Sequence, residues 1–283
     1  MTSRLAWLAL WLLPGAARGA PAVQTDSGAA AFLARARAGT ERYRDRSAAI
    51  ADGYHAIGVE APAMGQHWVH PGRLVAARLE ADHPPVLEYA PIQGRPTLVG
   101  VAYALPLAAA ESPPDFPAGR AGWHSHAGGV EEESLKLGHE DALAGAREER
   151  VAVLHAWVWV DNPAGAFAPL NWALPYLRAG FEPRSGPDAC AKALSLVDGG
   201  ETFWEAALAR ALDSDAPDAE ALHRVLAAYA DTVAAWRTRH GAARRVRDDE
   251  AAWLAALWDR ARTAVRAGLR PEAHERLNAL SGF

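Results

Sequence analysis

Eight of the chain's eleven histidines fall between His55 and His155. Imidazole is the commonest side-chain ligand of transition metals, and its ordinary pKa lies near neutrality, so such clustering points to metal binding or proton transfer. In Gly122-Trp123-His124-Ser125-His126 two imidazoles stand two residues apart. On a strand they project to one face and can chelate one ion. In Gln66-His67-Trp68-Val69-His70-Pro71 the separation is three, so on a strand only one of the pair joins a given site. His155 lies inside the run Val151 to Val160, on the face expected to carry Trp157 and Trp159. A buried imidazole there needs a partner, which is either a metal or a hydrogen-bonded carbonyl. His67, His124, His126 and His155 are therefore the expected metal ligands. Three or four nitrogen donors suit zinc, copper or iron, with an open coordination position if only three bind.

Carboxylates stand near these rings. Glu88 is the candidate fourth ligand or proton-transferring base, whereas the triplet Glu131, Glu132 and Glu133 reads as a solvated acidic loop. His139 is a weaker candidate ligand, and His223, His240 and His274 read as surface residues of the C-terminal helices.

The elements that must position these groups fall into zones. Residues 26–60 form an N-terminal helical segment. Asp26 or Ser27 can cap a helix containing Phe32 and Leu33, and Thr40 can cap a second with Tyr43 and Ile50. Residues 61–180 change to short β-type runs separated by proline and glycine. Val86–Tyr89 and Thr97–Leu105 flank a turn at Gln93-Gly94, which predicts a hairpin, and Asn162-Pro163-Ala164-Gly165 closes the strand that carries His155. Residues 187–283 read as a helical packet. Leu222, Val225, Leu226, Tyr229, Val233 and Trp236 recur at helical spacing up to Gly241, a second run from Trp253 to Val265 stops near Gly268, and Pro271 opens a last short helix. The fold class is α+β: a β-rich barrel or sandwich core, with a cupin-like form as one version, between N-terminal helices and a C-terminal helical packet.

The first twenty residues have the order of a cleaved signal peptide: Arg4, an apolar run from Leu5 to Leu13, Pro14, then small residues. Ala17-Arg18-Gly19 and Ala20-Pro21-Ala22 offer cleavage sites, and nine apolar residues are too few to span a membrane. The expected location is periplasmic or secreted, with no membrane attachment after cleavage. Arg4 and Arg18 would leave with the signal, taking the formal charge from −5 to −7. A mildly acidic surface of mixed sign is a poor match for nucleic acid. Cys190 is the only cysteine, so no internal disulfide can form; it reads as a buried thiol. No nucleophile elbow, phosphate-binding loop, dinucleotide fingerprint, haem-attachment motif or H-E-x-x-H helix is present.

The chain resembles, from Tyr43 to about Asn171, an uncharacterised family of secreted bacterial proteins. The resemblance rests on Tyr43-Arg44-Asp45 with Ala51-Asp52-Gly53-Tyr54, on Met64-Gly65-Gln66-His67 leading to Pro71, and on Pro85-Val86-Leu87-Glu88-Tyr89. It continues in Leu98-Val99-Gly100-Val101-Ala102-Tyr103 and Leu154-His155-Ala156-Trp157-Val158-Trp159, followed by Asn162-Pro163, Gly165, Phe167 and Asn171. The resemblance implies no activity, but it marks His67 and His155 as motif positions. Members of that family tend to end soon after the counterpart of Asn171, often near a cysteine; here a long helical extension follows.

Three functions are compatible with these residues. The first is an exported protein that binds a transition metal through the histidine cluster. The second is a cupin-like metal-dependent enzyme, an oxygenase or hydrolase, in which an open position activates dioxygen or water. In the third, a binding or structural module, the histidines and tryptophans only pack. The helical packet offers a surface for a protein partner in any of them.

Overall fold

A computed structural model describes residues 28–108, 111–115, 122–126, 150–185, 188–201, 203–205, 208, 216–241 and 243–269. Residues 1–20, read from sequence as a signal peptide, Asp26 and Ser27, the acidic triplet, His139, His274 and the helix expected at Pro271 lie outside them. So does the side chain of His126, although its backbone is described.

Six antiparallel strands form one open sheet: β1 (His55–Ala61), β2 (Gly65–Val69), β3 (Val86–Ile92), β4 (Arg95–Leu107), β5 (Trp123–His126) and β6 (Arg150–Ala156), in spatial order β1-β2-β3-β4-β6-β5. Among the described residues β1 and β5 are edges and do not pair with each other. The expected barrel or sandwich is therefore replaced by a single sheet whose two faces are covered differently, and the cupin-like form is not seen. The sheet also begins at His55, inside the stretch expected to be helical.

The hairpin β3–β4 forms as its sequence implies. Gln93 and Gly94 adopt φ of 50° and 76°, the doubly left-handed turn that matches strand twist. In the helical segment the capping differs from expectation. Helix α1 (Ala29–Thr40) follows Gly28, and the Thr40 hydroxyl bonds back to the Ala36 carbonyl at 2.7 Å instead of opening a new helix. After a 3-10 turn at Glu41–Arg44, α2 (Arg46–Ala51) is capped by Asp45, whose Oδ1 accepts from the Ser47 amide at 2.9 Å. Aspartate is the stronger cap, and the Thr40 hydroxyl is already committed to the preceding turn.

Side-chain alternation gives the sheet two different faces. On one, Trp68, Leu87, Tyr89, Val101, Tyr103, Leu105 and Leu154 pack against Phe32, Ala36, Tyr43 and Tyr54 of the N-terminal segment. On the other, Ile57, Val69, Val86, Ala102, Ala104 and Val153 make a smaller apolar patch with Leu74 of α3 (Pro71–Ala76). The site histidines belong to this second face.

Beyond the sheet, α4 (Leu174–Arg178) carries the buried Arg178, which pairs with Glu60 of β1 and donates to the Asp198 carbonyl at 2.9 Å. Helices α5 (Asp188–Leu194), α6 (Ala216–His240) and α7 (Asp248–Ala267) enclose a separate core around Cys190, Trp204, Leu226, Val233, Leu254 and Trp258. Gly241, at φ 75°, ends α6, and Gly268 caps α7. Cys190 is buried. Among the described residues no helix is long and apolar enough to cross a membrane.

A candidate metal centre on the second face of the sheet

Cross-strand register assembles the site. His67 of β2 stands opposite Glu88 of β3, Glu88 stands opposite Gly100 of β4, and two residues along β4 Ala102 stands opposite His155 of β6. His67, Glu88 and His155 thus share one face across four strands. Their potential ligand atoms all lie within 4.8 Å of one another, and the three side chains could hold a metal ion.

Glu88 is the centre of the group and is fully buried, in a strand that is otherwise apolar over Val86-Leu87 and Tyr89-Ala90. Its Oε1 accepts a hydrogen bond from His155 Nδ1 and lies 3.6 Å from His67 Nε2. Its Oε2 has no hydrogen-bond partner among the described residues. Burial by itself would push this carboxyl up; the charge and hydrogen bond of His155, and more weakly His67, outweigh it and hold the group well below the ordinary carboxylate range. An ionised carboxylate with an oxygen that no described residue bonds is costly to bury, and a cation is one group that would satisfy it.

Two features of β4 make room for the carboxylate. At residue 100 only glycine fits, because a Cβ there would lie under 3.0 Å from Glu88 Oε2, 3.0 Å from Trp157 Cε3 and 3.2 Å from the Ala156 carbonyl oxygen. The ladder also slips at this point: Glu88 pairs with Gly100 but Tyr89 pairs with Leu98, leaving Val99 as a bulge. Bulges commonly re-aim side chains beside functional sites. The Val99 carbonyl, released from the β3 ladder, accepts from the Trp159 and Val160 amides at 3.3 and 3.2 Å.

Two rings lie nearly parallel to His155: His124, with centroids 5.1 Å apart at 12°, and Trp157, at 5.9 Å and 10°. Trp157 is fixed by the loop that follows. Its amide bonds to the Ala166 carbonyl at 2.9 Å and its indole N–H to the Ala168 carbonyl at 2.6 Å. Asn162 and Asn171 shape that loop through Ala164, Leu170 and Ala173, so these asparagines have a structural role in the site.

The expected ligands are placed as follows. His67 and His155 meet around Glu88. His124 stacks beside His155 but is not one of the three groups that converge, because register sets it opposite Val153 on the edge strand β5. His126 has its backbone opposite Val151, two residues farther from His155. His70 does not join: it caps α3, its Nδ1 accepting from the Arg73 amide at 3.3 Å, and its ring meets Tyr54 edge-on. Trp159 leaves the face expected for it, because β6 ends at Ala156; its indole N–H donates to Thr40 Oγ1 at 3.1 Å, with Arg37 and Arg44 over its ring. Sequence reasoning ranked Glu88 as an accessory carboxylate and missed Gly100. A charged residue alone in a buried strand and a glycine inside a strand were the available signals.

No family model, no curated protein and no solved structure matches the chain at a significant level.

Proposed function

We propose that the protein binds one transition-metal ion between His67, Glu88 and His155. The observation that carries this reading is the buried Glu88 carboxylate, with imidazole nitrogens from two other strands close to Oε1 and with Oε2 lacking a donor among the described residues. Two imidazoles and one carboxylate are a recurrent donor set for zinc and for non-haem iron. Ligand atoms on a tetrahedral ion with ~2.1 Å bonds stand about 3.4 Å apart. The His67 Nε2 to Glu88 Oε1 separation of 3.6 Å fits this directly. His155 would exchange its hydrogen bond to Glu88 for a metal bond.

Three protein donors leave a coordination position open, and this favours, as a second reading, a metal-dependent enzyme of the oxygenase or hydrolase type. His67 is the most exposed member of the group, at 8% against 1% for His155, which would put the open position on its side. Export to the periplasm or medium, supported by the order of residues 1–20, belongs to the same proposal.

Cobalt(II) titration of the metal-free protein tests the assignment. Visible d–d absorption should grow and saturate at about one equivalent, and should be lost in His67→Ala, His155→Ala and Glu88→Gln proteins that remain folded by circular dichroism. Undiminished binding in those folded variants would place any metal elsewhere.

A further inference from the structure

The helical hairpin α6–α7 carries a second feature that the metal centre does not use. At its turn end lies an open groove of about 690 Å³, lined by residues from both helices and from the segment joining them. Small-ligand sites span roughly 300–1,000 Å³, so the groove is large enough for a ligand of several rings.

Its floor is aromatic and held in place. Trp236 is 6% exposed; the Trp253 ring lies beside it, centroids 6.1 Å apart at 24°, and His240 lies on it at 5.4 Å and 27°. Trp253 is 37% exposed, one of only three large hydrophobic residues exposed to that degree among the described residues. Its indole plane is fixed by the stack while part of the ring remains open to solvent. That ring needs no reordering to receive a flat apolar surface.

The polar rim narrows the class of ligand. Asp231, Thr232 and Arg239 supply a carboxylate, a hydroxyl and a guanidinium around the indoles, and Arg247 and Asp249 pair with each other at 3.2 Å on the same rim. Glu250, which also borders the groove, is committed to the turn: it accepts from Arg244 at 2.7 and 2.8 Å and from the Arg247 amide at 2.9 Å. Acidic and basic groups thus stand on the same rim. A phosphate would meet the aspartates, and a cation would meet the arginines. A neutral polyol, whose hydroxyls both donate and accept, matches a rim that mixes donors and acceptors of both signs. One face of a pyranose ring is a patch of C–H groups that can lie on an exposed indole.

We infer that the α6–α7 groove is a saccharide-binding site, in which a neutral hexose ring lies against Trp253 and its hydroxyls bond to Asp231, Thr232 and Arg239. Every residue invoked lies outside the sheet, so this site works independently of the metal centre.

The test is a calorimetric and tryptophan-fluorescence titration of the full chain with cellotetraose, maltotetraose and chitotetraose, with adenosine monophosphate as the charged aromatic comparison. Saturable binding of at least one oligosaccharide is expected, weakened about tenfold or more by Trp253→Ala and also by Asp231→Ala, and unchanged in His155→Ala. Two substitutions at partly exposed positions keep the test decisive if one of them perturbs folding. The inference is overturned by the absence of a saturable response to all three sugars at ~10 mM, by binding that both variants preserve, or by a response to the nucleotide alone.

Discussion

Replacing Gly100 by alanine adds one methyl group at the place where the candidate centre has no spare volume. The new Cβ would lie under 3.0 Å from Glu88 Oε2 and 3.0 Å from Trp157 Cε3, where an unstrained contact needs about 3.4 Å. The carboxylate cannot yield toward solvent, because Glu88 is 0% exposed. Trp157 cannot swing freely, because its indole N–H and its amide are both bonded to the following loop. Overpacking a rigid interior costs about 1–3 kcal/mol. For a chain of this size that lowers the melting temperature by roughly 2–5 °C. The same displacement moves Oε1 away from His67 and His155, so cobalt affinity should fall along with stability. Shortening the acid removes the collision: in the double variant Gly100→Ala, Glu88→Asp, the carboxylate withdraws by about one bond length, and the two stability losses should be clearly less than additive. Thermal unfolding of the four proteins of this cycle, each with and without cobalt, provides the measurement. A Gly100→Ala protein that melts within about 1 °C of the wild type and binds cobalt equally well would refute the packing argument. So would strictly additive losses in the cycle.

Three other predictions concern the frame around the site. Arg178→Ala strips a buried cation from Glu60, whose carboxyl burial pushes up even with the arginine present; a loss of about 2–4 kcal/mol in chemical denaturation is expected, partly restored by adding Glu60→Gln, and no restoration would speak against a paired-charge origin. Asp52 joins the N-terminal helices to α3, accepting from the Tyr43 hydroxyl, from Arg73 at 2.8 Å and from Arg42 at 3.1 Å. Burial raises its carboxyl, but the Tyr43 hydroxyl and the two guanidiniums outweigh burial and hold it below its ordinary value, so its contribution is present above the unfolded pKa and is lost as pH falls through the folded one. Wild-type stability should therefore drop below about pH 4 more steeply than that of Asp52→Asn, and parallel acid limbs would dismiss the network as a stabilising device. Trp258, 1% exposed in the helical core, should cost about 3–5 kcal/mol on replacement by alanine, read by urea denaturation; a loss under about 1 kcal/mol would mean that the helices do not close on it.

How far the site could be read from sequence depends on which interactions are local. The Gln93-Gly94 hairpin and the amphipathic runs of α6 and α7 are written in neighbouring residues, and they form where the pattern puts them. Thr40 failed as a cap because its hydroxyl had a nearer acceptor one turn back. The convergence of His67, Glu88 and His155 depends on register between strands up to 88 residues apart, and no local pattern encodes that. The paired histidines His124 and His126 have a spacing that lets both project to one face of a strand. The strand that carries them pairs with the outer edge of β6, and there His124 stacks on His155 without being one of the groups that converge on Glu88. Glu88 was ranked only as an accessory ligand or base, because nothing local shows that β3 is flanked on both sides and its carboxylate buried. The open sheet in place of a barrel follows from the same limit, since closure depends on whether the first and last strands meet.

Metal content tests the central claim most directly. Protein purified without an affinity tag, as wild type and as Glu88→Gln, should be assayed by elemental analysis as isolated and after reconstitution. The account predicts close to one equivalent of a single transition metal in the wild type and under about a tenth in the variant. Folded wild-type protein holding less than about a tenth of an equivalent of any transition metal, even after reconstitution, would contradict it.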